Sequence, residues 1–161
     1  MKVADDHETC YIAGICRLAD GEFLLSDTRN SKLKLVSSSL RVISTLDVPN
    51  FPCEMSSTGP REAAVAVDDN DKDRHEILLV CVKAGKIEHM RIIKLQHRCI
   101  GLAHRGGHLY VNDNTALHVY DMVGGQDRRL YNDRPGGPLL TALQSVLMAA
   151  ESTSQTSTTT S

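Results

Sequence analysis

Aromatic side chains are scarce in this chain, with two Phe, four Tyr and no Trp among 161 residues. Single-stranded nucleic acid is commonly held by bases stacked on aromatic rings, and so few rings, without basic residues interleaved, do not assemble such a platform. Positive charge is not in excess either. Eighteen Lys plus Arg against twenty Asp plus Glu leave a net charge of −2, so bulk charge does not favour binding by counterion release from a phosphate backbone. No stretch reaches the roughly 20 consecutive apolar residues of a membrane span. The opening Met1-Lys2-Val3-Ala4-Asp5-Asp6-His7 lacks the apolar centre of a secretory signal. The expectation is a cytoplasmic protein with no membrane partner.

Closely spaced cysteine pairs are also missing. The five cysteines, at 10, 16, 53, 81 and 99, are odd in number and never form Cys-x-x-Cys. That pattern suits reduced, buried thiols better than a disulfide framework. It also lacks the paired ligands of a structural zinc module.

What is present is a repeat. A shift of 86 residues lays Gly21 on Gly107, Phe23 on Leu109, Leu25 on Val111 and Asp27 on Asp113, and half of it falls near Val65, Val67 and Asp69. A period of about 43 lies within the range of four-stranded propeller blades. The first unit reads as strands over 11–18, 23–27, 32–36 and 40–48, with Asp20-Gly21 as a hairpin turn. Alternate, mostly apolar positions from Leu40 to Val48 show the period of a half-buried strand, which Pro49 ends. The second unit reads as the most degraded copy, with strands over 51–56, 63–67, 77–82 and 86–95, and 68–74 as a charged, solvated loop. The third has strands over 99–104, 108–112, 116–122 and 128–131, with turns at Gly106-Gly107 and Gly124-Gly125. Beyond Pro135-Gly136-Gly137-Pro138, apolar Leu139, Leu140, Leu143, Val146, Leu147 and Ala150 share one face of a helix. The Ser/Thr-rich end at 151–161 reads as a disordered tail. The expected division is an N-terminal segment (1–10), a partial propeller (11–137), an amphipathic helix (138–150) and the tail (151–161). The fold class is all-β: a partial β-propeller of about three four-stranded antiparallel blades with a short C-terminal helix.

The segments Gly14-Ile15-Cys16-Arg17-Leu18-Ala19-Asp20-Gly21-Glu22-Phe23-Leu24-Leu25-Ser26-Asp27 and Lys32-Leu33-Lys34-Leu35-Val36 resemble NHL-type propeller repeats, including those that follow tripartite-motif modules in invertebrate proteins. The resemblance covers about residues 11–137. It implies a scaffold that binds protein or RNA on a loop face, sometimes delivering substrates to ubiquitin transfer. Without Cys-x-x-Cys pairs no RING or B-box is present, so ligase chemistry is not expected here. Propellers close with about four to eight blades, so three leave outer blade faces uncovered. The chain reads as a propeller fragment whose helix caps one face or docks a partner, and self-association through the unclosed faces is expected.

Few constellations invite chemistry. Asp69, Asp71 and Asp73 match the first spacings of a calcium loop, but Arg74 and Val80 stand where glycine and glutamate are needed. His97 with Cys99, and His104 with His108, lack a second ligand pair. Cys16 and Cys99 fall in innermost strands, where a thiol is not activated. Arg128, Arg129 and Arg134 form a modest basic cluster. No catalytic residue, metal or cofactor is expected. Propeller order puts the tight glycine turns on one face and the longer polar loops on the other, so partner contact is expected at Arg29, Asn30, His97, Arg98 and Asn114. The functional expectation is a non-enzymatic scaffold binding a protein partner. The alternatives are an RNA-binding propeller and a hydrolase built around the central channel.

Overall fold

The computed structural model describes residues 2–132, with side chains through residue 125. It contains three four-stranded antiparallel sheets, each in sequential order. Blade 1 comprises β1 (Ile12–Arg17), β2 (Phe23–Asp27), β3 (Lys32–Val36) and β4 (Val42–Asp47). Blade 2 comprises β5 (Pro52–Gly59), β6 (Glu62–Asp69), β7 (Arg74–Lys83) and β8 (Lys86–Lys94). Blade 3 comprises β9 (Gly101–Arg105), β10 (His108–Asn112), β11 (Ala116–Asp121) and β12 (Gln126–Asn132). The expected helix over 138–150, the tail and Arg134 lie outside the described residues.

The blades stack through their faces, with the first strands innermost. One core joins Leu24, Leu33 and Leu35 of blade 1 to Val65, Val67, Leu78 and Val80 of blade 2. A second joins Ala64, Ala66, Ile77 and Leu79 of blade 2 to Leu102, Leu109, Val111 and Tyr120 of blade 3. Along β6, odd-numbered residues enter the first core and even-numbered ones the second, the two-residue period of a pleated strand. Inner strands approach closely: the Ser26 hydroxyl donates to the Cys53 carbonyl at 2.6 Å, and the His104 amide donates to Ser56 Oγ at 3.0 Å.

Two expectations are corrected. The middle copy is not degraded; its strands run to eight, eight, ten and nine residues. Because blade 2 is covered on both faces, its central strands read as continuous apolar runs, and the alternation that marks a half-exposed strand is absent. Nor is 68–74 wholly a solvated loop. Asp68 and Asp69 end β6, Arg74 opens β7, and the turn shrinks to a single 3-10 segment, Asn70–Lys72. Asp69 is 2% exposed and caps that turn, its Oδ1 accepting from the Lys72 amide.

Candidate loop-face interface

Strand order separates two faces. Turns within the β1–β2, β5–β6, β7–β8, β9–β10 and β11–β12 hairpins share one face and carry the positive backbone angles of Gly21, Gly85, Gly106, Gly107 and Gly124. Arg61 stitches blades 1 and 2 together there, pairing with Asp20 and with Glu22 at 3.0 Å and donating from Nε to the Val82 carbonyl. The β2–β3, β6–β7 and β10–β11 loops and the inter-blade connections lie on the opposite face, with every contact candidate.

The candidates fall into two clusters. On blade 1, Arg29 is exposed and its guanidinium sits 5.6 Å from the centre of the Tyr11 ring. Asn30 turns inward, donating to Asp27 Oδ2 and to the Glu8 carbonyl while its Oδ1 accepts from the Glu8 amide. Beneath it lies a buried ionic cluster not anticipated from sequence. The Lys34 ammonium, with no exposed side-chain surface, donates to Asp6 Oδ2 at 2.6 Å, Asp27 Oδ2 at 2.7 Å and Cys10 Sγ at 3.2 Å. Burial alone would raise the Asp27 carboxyl and lower the Lys34 ammonium. Their mutual bonds, with those from Asn30 and the Tyr11 amide to Asp27 and from Lys34 to Asp6, outweigh it. Asp27 therefore sits well below the usual carboxylate range and Lys34 well above the usual amine range. This cluster, with Lys32 on Asp5 at 2.9 Å, ties the segment before β1 onto blade 1.

The second cluster forms where blades 2 and 3 join. Arg98 directs Nε and Nη2 onto Asp68 Oδ2 at 3.0 and 2.9 Å, and Asp68 Oδ1 accepts from His75 Nδ1 at 2.5 Å and the Cys99 amide at 3.3 Å. His97 stacks on His118 with centroids 3.7 Å apart and planes 14° from parallel. His97 Nδ1 lies 2.8 Å from the Arg98 carbonyl, which can only accept, so Nδ1 carries the proton and Nε2 accepts from the Tyr120 hydroxyl at 2.6 Å. Burial holds the His97 imidazole below its usual range and pushes the Tyr120 phenol up to about 12. His118 donates to Asp113 Oδ2 at 2.8 Å. Burial would raise Asp113, but bonds from His118, Thr115 and the Ala116 amide bring it to about 2. Asn114 is exposed at a left-handed φ of 81°, its amide bonded to Asn112 Oδ1.

Ligand atoms of His97, Asp113 and His118 lie within 4.8 Å of one another, as do those of Asp6, Cys10 and Asp27. The second set already surrounds the Lys34 ammonium, so a cation sits among its carboxylates. In the first, face-to-face rings direct their in-plane lone pairs side by side, so one ring must turn before both meet an ion. Asp71 and Asp73 join neither set. Cys16 and Cys99 are buried at 5% and 1% exposure, and burial raises both thiols. Among the described residues no helix is long and apolar enough to cross a membrane.

No protein-family profile and no curated protein matches this sequence. Solved structures do match. Glutaminyl cyclase of Myxococcus xanthus aligns with a TM-score of 0.64 at 16% identity, over 80% of this chain and 54% of that one. Streptogramin B lyase aligns at 0.58 and 13%, over 84% and 44%. Hydrazine synthase of Kuenenia stuttgartiensis aligns at 0.57 and 16%, over 76% and 36%. The chain thus spans between about a third and a half of the length of these neighbours. The likeness establishes the β-propeller-like, all-β fold.

Proposed function

We propose that this protein is a non-enzymatic interaction scaffold that binds a protein partner through its loop face, with Arg29 and Arg98 as the principal contacts. The observation that carries this reading is the fixing of both guanidinium groups: Arg29 over the Tyr11 ring, and Arg98 on the nearly buried Asp68 carboxylate while its own side chain stays 49% exposed. Side chains already held in place lose less conformational freedom on binding. The opposite face offers tight glycine turns with little side chain. Asn30, His97 and Asn114 act as positioning residues: Asn30 secures the segment before β1, His97 packs the connection onto blade 3, and Asn114 shapes its turn. The NHL-like rhythm of residues 14–36 supports the same reading, as does an intracellular setting with five free cysteines. The raised thiols of Cys16 and Cys99 argue against a cysteine nucleophile.

The test is affinity capture from cell extract, followed by titration of the recovered partner against R29A/R98A. A fall of tenfold or more in affinity is expected, with the circular dichroism spectrum unchanged. Undiminished affinity in the double variant would count against the loop face. Tight binding of single-stranded RNA instead, weakening steeply with salt, would replace the protein partner with the RNA reading.

A further inference from the structure

His97, Asp113 and His118 meet where blades 2 and 3 join, although no short spacing in the sequence links them. His97 lies on the connection between β8 and β9, Asp113 on the β10–β11 loop and His118 in β11. One ligand atom from each lies within 4.8 Å of the other two. His118 is buried, whereas His97 and Asp113 are partly exposed on the loop face. An ion can therefore reach the group from solvent and still be held against a buried ligand.

The atoms that would not touch an ion are already fixed by neighbours. Histidines that bind metals commonly donate their other ring N–H to a carbonyl or carboxylate, and ligating carboxylates are themselves hydrogen-bonded. His97 meets the first condition, its Nδ1–H donating to the Arg98 carbonyl at 2.8 Å. Asp113 meets the second: its Oδ1 accepts from the Thr115 amide at 2.7 Å, the Thr115 hydroxyl at 2.8 Å and the Ala116 amide at 2.6 Å. That leaves Oδ2 directed at His118 Nε2, 2.8 Å away, and His97 Nε2 as an acceptor for the Tyr120 hydroxyl. Arg98 is bonded to Asp68, so its charge does not compete for Asp113.

Donor type selects the ion. Two imidazole nitrogens and one carboxylate oxygen suit zinc, whereas magnesium and calcium take mainly oxygen ligands. Zinc bonds of about 2.0–2.1 Å place tetrahedral ligand atoms roughly 3.3 Å apart, so the group closes slightly around the ion. The stacked His97 ring supplies the movement: it turns off His118, giving up the Tyr120 bond, and its Nε2 swings toward Asp113 Oδ2. The proton on His118 Nε2 yields its place to the ion, because a ligating nitrogen must be deprotonated.

We propose that this chain binds one zinc ion at the junction of blades 2 and 3, through Nε2 of His97, Nε2 of His118 and Oδ2 of Asp113, with the fourth tetrahedral position left to solvent. The ion ties the β8–β9 connection to blade 3 at the loop face. The site goes beyond the scaffold reading and does not depend on it, since the bond between Arg98 and Asp68 uses none of the three ligands.

Zinc titration of the whole chain, first stripped of metal and then set against a chromophoric chelator, tests it. One equivalent is expected to bind with a Kd below about 10 micromolar. His97→Gln and Asp113→Asn are each expected to weaken binding at least tenfold, with unchanged circular dichroism, and His104→Gln to leave it unaltered. Cobalt in place of zinc is expected to give the visible bands of a four-coordinate nitrogen and oxygen site without thiolate-to-metal charge transfer, which separates the site from the partly exposed Cys10 and Cys53. In the unsubstituted protein, zinc is expected to shift the Nε2 resonances of His97 and His118, a readout that needs no variant. Absence of saturable binding up to about 100 micromolar zinc would overturn the proposal. So would a thiolate band, unmoved Nε2 resonances, or full affinity in either ligand variant.

Discussion

Lys34 shows how a single side chain decides where a segment lies. Its ammonium is fully buried between two buried carboxylates, and a buried charge survives only when paired and hydrogen-bonded. Replacing it with Met leaves Asp6 and Asp27 facing each other unpaired, and the expected loss is about 3–5 kcal/mol, read as a lowered urea midpoint. Asp6→Ala is milder because the Lys34–Asp27 pair remains. There the expected result is at least tenfold faster hydrogen exchange over residues 3–11 with the blades still protected. The acid response follows from the same groups. Asp6, Asp27 and Asp113 all sit below their unfolded values, so the stability they supply is present above about pH 4 and lost as pH falls through the folded values. For Asp113, moved from 3.8 to about 2, the share is about 2 kcal/mol. His97, depressed by burial, adds an earlier decline below about pH 6.5, because the unfolded imidazole then binds the proton more readily. Lys34, raised by its partners, contributes below about pH 10, and that share is lost as pH rises through its folded value. Burial raises the Cys16 and Cys99 thiols, so stability also declines once the unfolded thiols ionise at about pH 8.5. Thermal midpoints are therefore expected to be flat only between about pH 7 and 8 and to fall on either side.

Blades are joined most tightly at their inner strands, and Gly14 marks the closest approach. A Cβ at that position would stand 2.5 Å from the Cys53 carbonyl oxygen, a backbone atom that cannot swing aside. Gly14→Ala is expected to cost about 1–3 kcal/mol, measured by denaturant unfolding, whereas Ala at the outward-facing Ala13 is the native residue and shows that the strand tolerates it. Strand positions in blade 1 were legible because its exposed face preserves alternation and its turns carry Asp-Gly. Blade 2 was harder to read: burial on both faces of β6 and β7 removed the alternation, and the charged ends of these strands resemble a loop. The ionic pairs escaped for a different reason. Asp27 and Asp113 are separated by 86 residues, but Leu25 pairs with Lys34 nine positions on whereas Val111 pairs with His118 seven positions on, so Lys34 aligns with His118 at 84. A constant shift lays Lys34 on Tyr120 instead and hides the equivalence. Asp68 with His75 was further obscured because that pair faces blade 3, opposite to the others.

At the scale of the molecule, the proposed scaffold role depends on the array holding its loops in fixed register. Of the five contact candidates, all lie on one face, as propeller order required, but only Arg29 and Arg98 present charge outward from a fixed base. The inward roles of Asn30 and His97 depend on partners 22 and 23 residues away, a proximity that no local motif announces. If the blades are stacked as described, methyl groups should fall into two separate networks. The decisive measurement is a methyl nuclear Overhauser spectrum of selectively labelled protein. Cross-peaks are expected from Leu33 and Leu35 to Val65, Leu78 and Val80, and from Ala64, Ala66 and Ile77 to Leu109 and Val111. Direct cross-peaks between Leu33 or Leu35 and Leu109 or Val111, within one chain, would contradict the radial stack.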